Sequence, residues 1–362
     1  MARLDAFLKI MQEASASDLH LSTGCTPMLR INGEMQEARH RPLTGDEVRL
    51  LCYELLTDTQ IERFEADGEI DCAYTLEGVA RFRIHLFKKF PGMGGTFRII
   101  PHEVPTLDDL GMPEVLKTML HNRSGLILVT GPTNSGKSTT LAAMVDYLNE
   151  RMAYHIITLE DPLEFIHPNK QCLINQRQIG EHSRSFASAL RGALRADPNV
   201  ILVGEMRDLE TIHLALSAAE LGLLVLGTLH TSSAAQTIGR VADAFPADQQ
   251  PGVRLTLSEV LVGICSQLLL RRADGNGRVA AQEILVGTQA CRTLIRDGKS
   301  HHVNNVIQTG KKEGMILMDQ QLKNLVGDGV VTAEEAARFA DDPTAILAFG
   351  KTGLRRPGMV GS

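Results

Sequence analysis

The chain has 362 residues, 43% hydrophobic and 22% charged, which is ordinary globular composition at a length one hydrophobic core seldom serves, so two domains are expected. Its 43 acidic and 37 basic side chains leave a formal net charge of −6, and no overall positive field draws it toward nucleic acid or anionic lipid. Six cysteines without a CxxC pair or a Cys/His ligand spacing read as reduced thiols of a cytosolic protein and give no zinc site.

At the start of the chain, Leu4, Phe7, Leu8 and Met11 fall on one helical face without a long apolar core, which describes an amphipathic helix near 3–15 and not a signal peptide. Extended runs follow at 18–21 and 27–31, and Asn32-Gly33 is a hairpin signal. A helical stretch is expected near 45–66. Ala80 to Phe87 alternates with period two, as a half-buried strand does, and Thr96 to Ile100 is extended beyond the break at Pro91 to Gly95. Residues 1–100 therefore read as an α+β domain with an antiparallel sheet.

Pro101, Pro105, Gly111 and Pro113 punctuate residues 101–113, as expected of a linker or hinge. Across 114–350 apolar runs at Leu126 to Thr130, Ile156 to Leu159, Val200 to Val203 and Leu223 to Leu229 alternate with helical segments. Continuous apolar runs of this kind suit strands covered on both faces, hence a doubly wound α/β core. A hairpin is expected around Asp274-Gly275-Asn276-Gly277, then helical periodicity near 289–297, 303–309 and 315–326. Residues 351–362 read as a flexible tail. The longest apolar stretches, 221–229 and 257–270, are too interrupted to span a bilayer, so any membrane association would be indirect.

Gly131-Pro132-Thr133-Asn134-Ser135-Gly136-Lys137-Ser138, followed by Thr139, is a full GxxxxGK[ST] between an apolar strand and a helix-forming run. Its glycines let backbone N–H groups turn inward around phosphate oxygens, Lys137 reaches the β- and γ-phosphates, and the Ser138 hydroxyl ligates Mg2+. This motif predicts binding of a nucleoside triphosphate.

Three further segments end strands at what would be the same sheet edge. Val200 to Val203 runs into Gly204-Glu205, and Gly204 stands where many P-loop enzymes place a magnesium-binding Asp, so Glu205 is better cast as the group that polarises the attacking water. Arg207 and Asp208 follow, with Asp208 as an N-cap. Thr158 to Glu164 carries Glu160, Asp161 and Glu164, acids that open α/β sheets bring toward phosphates and metal at their carboxyl ends. Glu160 and Glu164 are further catalytic candidates and Asp161 a candidate Mg2+ ligand; an acidic turn with a proline is the plain alternative. His230, after Leu229, is placed to sense a γ-phosphate by hydrogen bond, with a structural histidine as its alternative.

In order and spacing these segments resemble the Walker A, Asp box, Walker B and His box of the secretion ATPase superfamily, and Leu190 to Pro198 looks like its arginine-bearing helix. Within it the chain is most similar to PilT-type pilus retraction ATPases. It begins almost directly with a PAS-like domain, it has only Cys265 and Cys291 beyond His230 where extension ATPases carry a tetracysteine insert, and Ile307 to Met315 with Met318-Asp319-Gln320 is similar to the PilT C-terminal segment. The resemblance implies a PAS-like N-terminal domain, then a RecA-like P-loop ATPase domain with a helical C-terminal region.

It also implies a cytoplasmic homohexamer, peripheral at the inner membrane through the pilus platform protein, with ATP between the N-terminal domain of one subunit and the ATPase domain of another. Arg81, Arg83 and Arg98 are then candidate charge stabilisers for the phosphates, solvated strand arginines being the other reading. Asn134 stands where this family's loop usually has glycine, and Asn tolerates positive φ better than other non-glycine residues. Ala290 to Asp297 resembles the retraction motif AIRNLIRE with changes at Cys291, Thr293 and Asp297, leaving an auxiliary paralogue open. A DNA-translocating ATPase and an ATP-binding scaffold are the remaining alternatives.

Overall fold

A computed structural model describes residues 3–31, 33–100 and 103–352. Asn32 of the expected hairpin, Pro101 of the linker and residues 353–362 of the expected tail lie outside the described residues. The chain divides into two compact units, Met1–Glu103 and Val104–Ser362.

The first unit runs α1 (Leu4–Glu13), β1 (Asp18–Ser22), β2 (Met28–Ile31), β3 (Glu34–Glu37), α2 (Gly45–Tyr53), α3 (Asp58–Asp67), β4 (Glu69–Leu76), β5 (Ala80–Lys88) and β6 (Met93–Ile100). Its antiparallel sheet has the order β3-β2-β1-β6-β5-β4. Alternation sorts the two faces: Leu19, Leu21, Phe82, Ile84, Leu86 and Phe97 are buried with Leu4, Leu8, Val48 and Phe64 of the helices. The opposite face carries Arg83 paired with Arg98 and His85 paired with Thr96. The helical stretch expected over 45–66 is two helices. Thr57 starts a second one with a capping box to Gln60, as Thr44 does with Glu47, and each box satisfies amides that a continuous helix would not leave open.

The second unit runs α4 (Glu114–Leu120), β7 (Gly125–Thr130), α5 (Lys137–Arg151), β8 (His155–Glu160), β9 (Leu173–Gln178), α6 (Phe186–Ala193), β10 (Val200–Val203), α7 (Leu209–Glu220), β11 (Leu224–Leu229), α8 (Ala234–Asp243) and α9 (Gln250–Val260). It continues with β12 (Leu261–Arg271), β13 (Arg278–Val286), α10 (Gln289–Arg296), α11 (Val303–Thr309), α12 (Met318–Gly327), α13 (Ala333–Ala337) and α14 (Pro343–Thr352). The seven-stranded sheet has the order β13-β12-β7-β11-β10-β8-β9, parallel except for β13.

Successive residues of the central strands serve opposite layers. Leu126 and Leu128 pack with α6 to α11, while Ile127 and Val129 pack with α4 and α5. That two-sided covering is why these strands are apolar at every position, and it makes the unit a doubly wound α/β fold. Among the described residues no helix is long and apolar enough to cross a membrane.

Two boundaries differ from expectation. Helix α12 starts at Met318 and not near 315, because Ile316 is held as a β-bridge partner of Ile284 and Gly314 has φ +84°. Helix α14 carries the chain through Gly350 to Thr352, where a tail was expected. A Cβ at Gly350 would lie 2.4 Å from Ala333 Cβ, so this glycine permits close packing of α14 on the start of α13.

The segment after the cis Asp161–Pro162 bond returns across α5: Asn149 Nδ2 donates to the Pro168 carbonyl at 2.8 Å, and Lys170 Nζ pairs with Asp146 at 2.8 Å. His167 lies under this crossing, 8% exposed, with its Nδ1 buried and unpartnered. Burial pulls its pKa from 6.5 down to about 4, with the Asp146 charge opposing and Lys170 adding to the fall. A folded-state pKa below the unfolded one means that the unfolded chain binds the proton more readily. The stability is therefore present above pH 6.5 and is lost as pH falls toward 4. Urea unfolding should show about 3 kcal/mol of such pH-dependent stability across this window, and His167→Phe should remove that part of the slope.

Candidate nucleotide site

Strand β7, fully buried, delivers the chain into a tight loop. Gly131 has φ +146°, and a Cβ there would lie 2.2 Å from the Gln267 carbonyl and 2.6 Å from Ser135 Oγ. Gly136 has φ +87°, and its Cβ would meet Gln267 Nε2 at 2.8 Å. Asn134 adopts φ +64°, the left-handed conformation that the usual glycine would take.

Lys137 opens α5 and curls back, its Nζ donating to the carbonyls of Gly131 at 2.9 Å and Pro132 at 2.8 Å. Burial lowers its pKa, and the negative charges of Glu205 and Glu164 oppose that shift. Pro132, Thr133 and Asn134 are exposed, and Ser138 and Thr139 are partly buried in the first turn of α5.

A triphosphate fits this loop on the chain's own features. Ser135 Oγ is buried without a hydrogen-bond partner. No side chain caps α5, so its first N–H groups are open to an anion. Mg2+ fits at Ser138 on the chemistry of its hydroxyl, since this ion is commonly held by few protein ligands together with phosphates. Among the described residues no group of three or more His, Cys, Asp or Glu side chains is placed to hold a metal ion.

Parallel pairing sets the other groups beside the loop, because β7, β11, β10 and β8 are consecutive neighbours ending at one edge. Gly204 donates its N–H to the Leu159 carbonyl at 2.7 Å, and a Cβ there would stand 3.0 Å from that oxygen. Thr228 Oγ1 donates to the Gly204 carbonyl, while Met206 N–H donates to the Thr228 carbonyl at 3.0 Å. These bonds present Glu205, whose Oε1 lies 3.1 Å from His230 Nε2 and pairs with Arg207 Nε. Asp208 caps α7, accepting the Thr211 amide at 2.8 Å.

The three acids after β8 separate. Glu160 Oε1 accepts from Thr158 Oγ1 at 2.6 Å and Gln176 Nε2 at 3.4 Å; desolvation raises its pKa, and these hydrogen bonds oppose the rise. Asp161 and Glu164 are exposed. Arg81, Arg83 and Arg98 belong to the first unit. Arg98 Nε donates to buried Asp18 at 2.7 Å, Arg83 lies 3.9 Å from Asp71, and Arg81 Nε is buried without a partner.

Residues 2–338 match the family described as type II/IV secretion system protein. The chain belongs to this family. It is 50% identical over 336 residues to the type IV pilus retraction ATPase PilT of Pseudomonas aeruginosa, covering 93% of this chain and 97% of that protein. It is 48% identical over 318 residues to a twitching motility protein of Neisseria gonorrhoeae, covering 88% and 85%. The crystal structure of the pilus retraction motor PilT with bound ADP superposes with a TM-score of 0.89 at 43% identity, covering 95% of this chain and 98% of that one.

In this secretion-family chain the residue that sequence reasoning missed is Gln267. It stands in β12 with its Nε2 donating to the Ser135 carbonyl at 2.7 Å and its Oε1 accepting from Thr140 Oγ1 at 2.8 Å. One amide thus braces both the loop and the first turns of α5. The available signal was Ser266-Gln267, two polar residues inside an apolar strand, where burial without partners would be costly. Gln267→Leu keeps most of the volume but leaves the Ser135 carbonyl and Thr140 hydroxyl unpaired, at about 1–3 kcal/mol. Isothermal titration should find ADP binding weakened by about tenfold as the loop loses its fixed shape. Binding within about twofold of the parent would show that the brace is dispensable.

Proposed function

We propose that this secretion-family protein is an ATP-hydrolysing motor that drives type IV pilus retraction, acting as a cytoplasmic homohexamer held at the inner membrane through the pilus platform protein. The observation that carries the reading is the convergence of Lys137, Glu205 and His230 at one sheet edge, in a chain half identical to PilT over nearly all of that protein's length.

Lys137 exchanges its contacts to the Gly131 and Pro132 carbonyls for phosphate oxygens, and the loop amides with the open N-terminus of α5 bind the remaining charge. Bound Mg2+ supplies neutralisation of phosphate charge. His230 and Arg207 hold Oε1 of Glu205, and the carboxylate accepts a proton of the attacking water as the water oxygen bonds to the γ-phosphorus and the bond from that phosphorus to the bridging oxygen breaks, leaving ADP and phosphate. Glu160 supports the strand end through Thr158 and Gln176, whereas exposed Glu164, whose charge opposes the fall in the Lys137 pKa, is the alternative base. Exposed Asp161 would be a further candidate to hold Mg2+ with Ser138. Arg81, Arg83 and Arg98 act as charge stabilisers in the assembled ring.

Glu205→Gln preserves size and hydrogen bonding while removing the proton acceptor. Phosphate release should fall by about 10²–10⁴, with ATP affinity retained. Turnover within about threefold of the parent would transfer the role to Glu164. Lys137→Ala is the contrasting variant, losing binding as well as turnover. Because the proposed site draws groups from more than one subunit, sedimentation with nucleotide should show hexamers, and a monomer turning over at full rate at any dilution would contradict the ring.

A further inference from the structure

One buried carboxylate has no part in the chemistry above. Glu283, in β13, is 4% exposed. Its Oε1 accepts the Ala234 amide at 2.8 Å and its Oε2 the Met318 amide at 3.4 Å. Ala234 and Met318 are the first residues of α8 and α12. A single carboxyl group therefore sits at two helix N-termini, where N–H groups lack intrahelical partners; burial raises its pKa, and the two amide bonds oppose the rise. Helix α12 has no side-chain cap of its own, Leu317 occupying the cap position.

The two helices belong to different parts of the unit. Helix α8 starts just after His230, and a cluster of hydroxyls lies between it and the nucleotide loop. Thr231 Oγ1 lies 2.7 Å from Thr237 Oγ1, which donates to the Ser233 carbonyl at 2.7 Å and stands 3.5 Å from Thr130 Oγ1; Thr130, which precedes Gly131, lies 2.9 Å from Ser266 Oγ. Helix α12 opens the C-terminal helical lobe, whose Leu322, Val326, Val331 and Ile346 form their own cluster with Leu270 and Ala281 of the sheet hairpin.

We propose that Glu283 is a positioning residue that couples the nucleotide site to the C-terminal lobe: the setting of α8 beside His230 determines the setting of α12 through the carboxylate they share. The inference rests on nucleotide binding at residues 131–138. The longer bond, to Met318, is the one that strengthens or breaks first when α8 shifts, because hydrogen bonds weaken steeply with stretch. Coupling of this kind needs an element that both sites bias, and the Glu283 carboxylate touches both.

Hydrogen–deuterium exchange of the full chain, with and without saturating ADP, tests it on peptides covering 234–243 and 318–327, with ADP affinity and thermal midpoint measured in parallel. In the parent, ADP should slow exchange of both helices by about threefold or more. Glu283→Gln keeps one acceptor but turns an N–H group toward the second amide, so α8 should still respond while the α12 response disappears, with ADP affinity within about threefold.

Met318→Pro tests the same joint should Glu283→Gln fail to fold. It deletes the donor at the first helical position, where proline is favoured, after a Leu317 already at φ −78°, ψ 151°. It also removes the buried Met318 side chain, so Met318→Ala, which keeps the N–H, is the control and should keep the α12 response. In Met318→Pro the α12 response should again vanish while that of α8 persists. An α12 that ignores ADP in the parent, or that still responds in Glu283→Gln or Met318→Pro, overturns the coupling. Failure of the parent to bind ADP overturns the nucleotide reading itself.

Discussion

Everything at the candidate site follows from parallel pairing of β7, β11, β10 and β8. Parallel strands cannot be joined by tight turns, so each returns by a long crossover, helical after β7, β10 and β11 and irregular over 161–172 after β8, and all end at the same edge. The register is close: Leu229 pairs with Thr130 and Val203 with Gly227. The P-loop, the Glu205 turn and the His230 turn are thereby set side by side without any direct bond between the P-loop and Glu205. A slip of one residue along β11 would turn its side chains to the opposite layer of the core, so the same apolar packing that holds the sheet also holds the site.

Inside that apolar frame stands a small set of buried polar groups, and their pairing explains why the interior tolerates them. Thr130, Ser266, Gln267 and Thr140 each find a partner, and the Glu283 carboxylate meets two backbone amides. A buried polar group without a partner costs about as much as several such bonds return, so a network of this kind is stable only when closed. Ser135 Oγ is not paired in this way: it is buried and unpartnered in the P-loop itself, where a phosphate would satisfy it, while His167 Nδ1 and Gln282 Oε1 are buried and unpartnered elsewhere in the unit.

Much of this was legible in the residues. The continuous apolar runs marked the two-sided strands because strands covered on both faces have no polar side to show, and the P-loop was legible because its glycines answer a backbone need visible in Gly131 and Gly136. The polar edge strand β9, Leu-Ile-Asn-Gln-Arg-Gln, was not, since its Gln176 and Gln178 are spent on the backbone of the loop after β8 and mimic a solvated turn in sequence. The role of Gln267 was hidden for a different reason. Its partners are 132 and 127 residues away, and no local pattern encodes a contact of that span. The separation of Glu160 from Glu164 likewise depends on Gln176 arriving from β9.

The Glu205 and His230 pair also crosses the seam between β10 and β11, as do the bond from Thr228 to Gly204 and the bond from Met206 to Thr228. A pull that sheared one strand end along the other would stretch all three at once. The carboxylate would leave the imidazole at the moment the backbone gave way. The seam thus makes the Glu205–His230 geometry and the integrity of the β10–β11 edge one mechanical unit: neither can be distorted without the other.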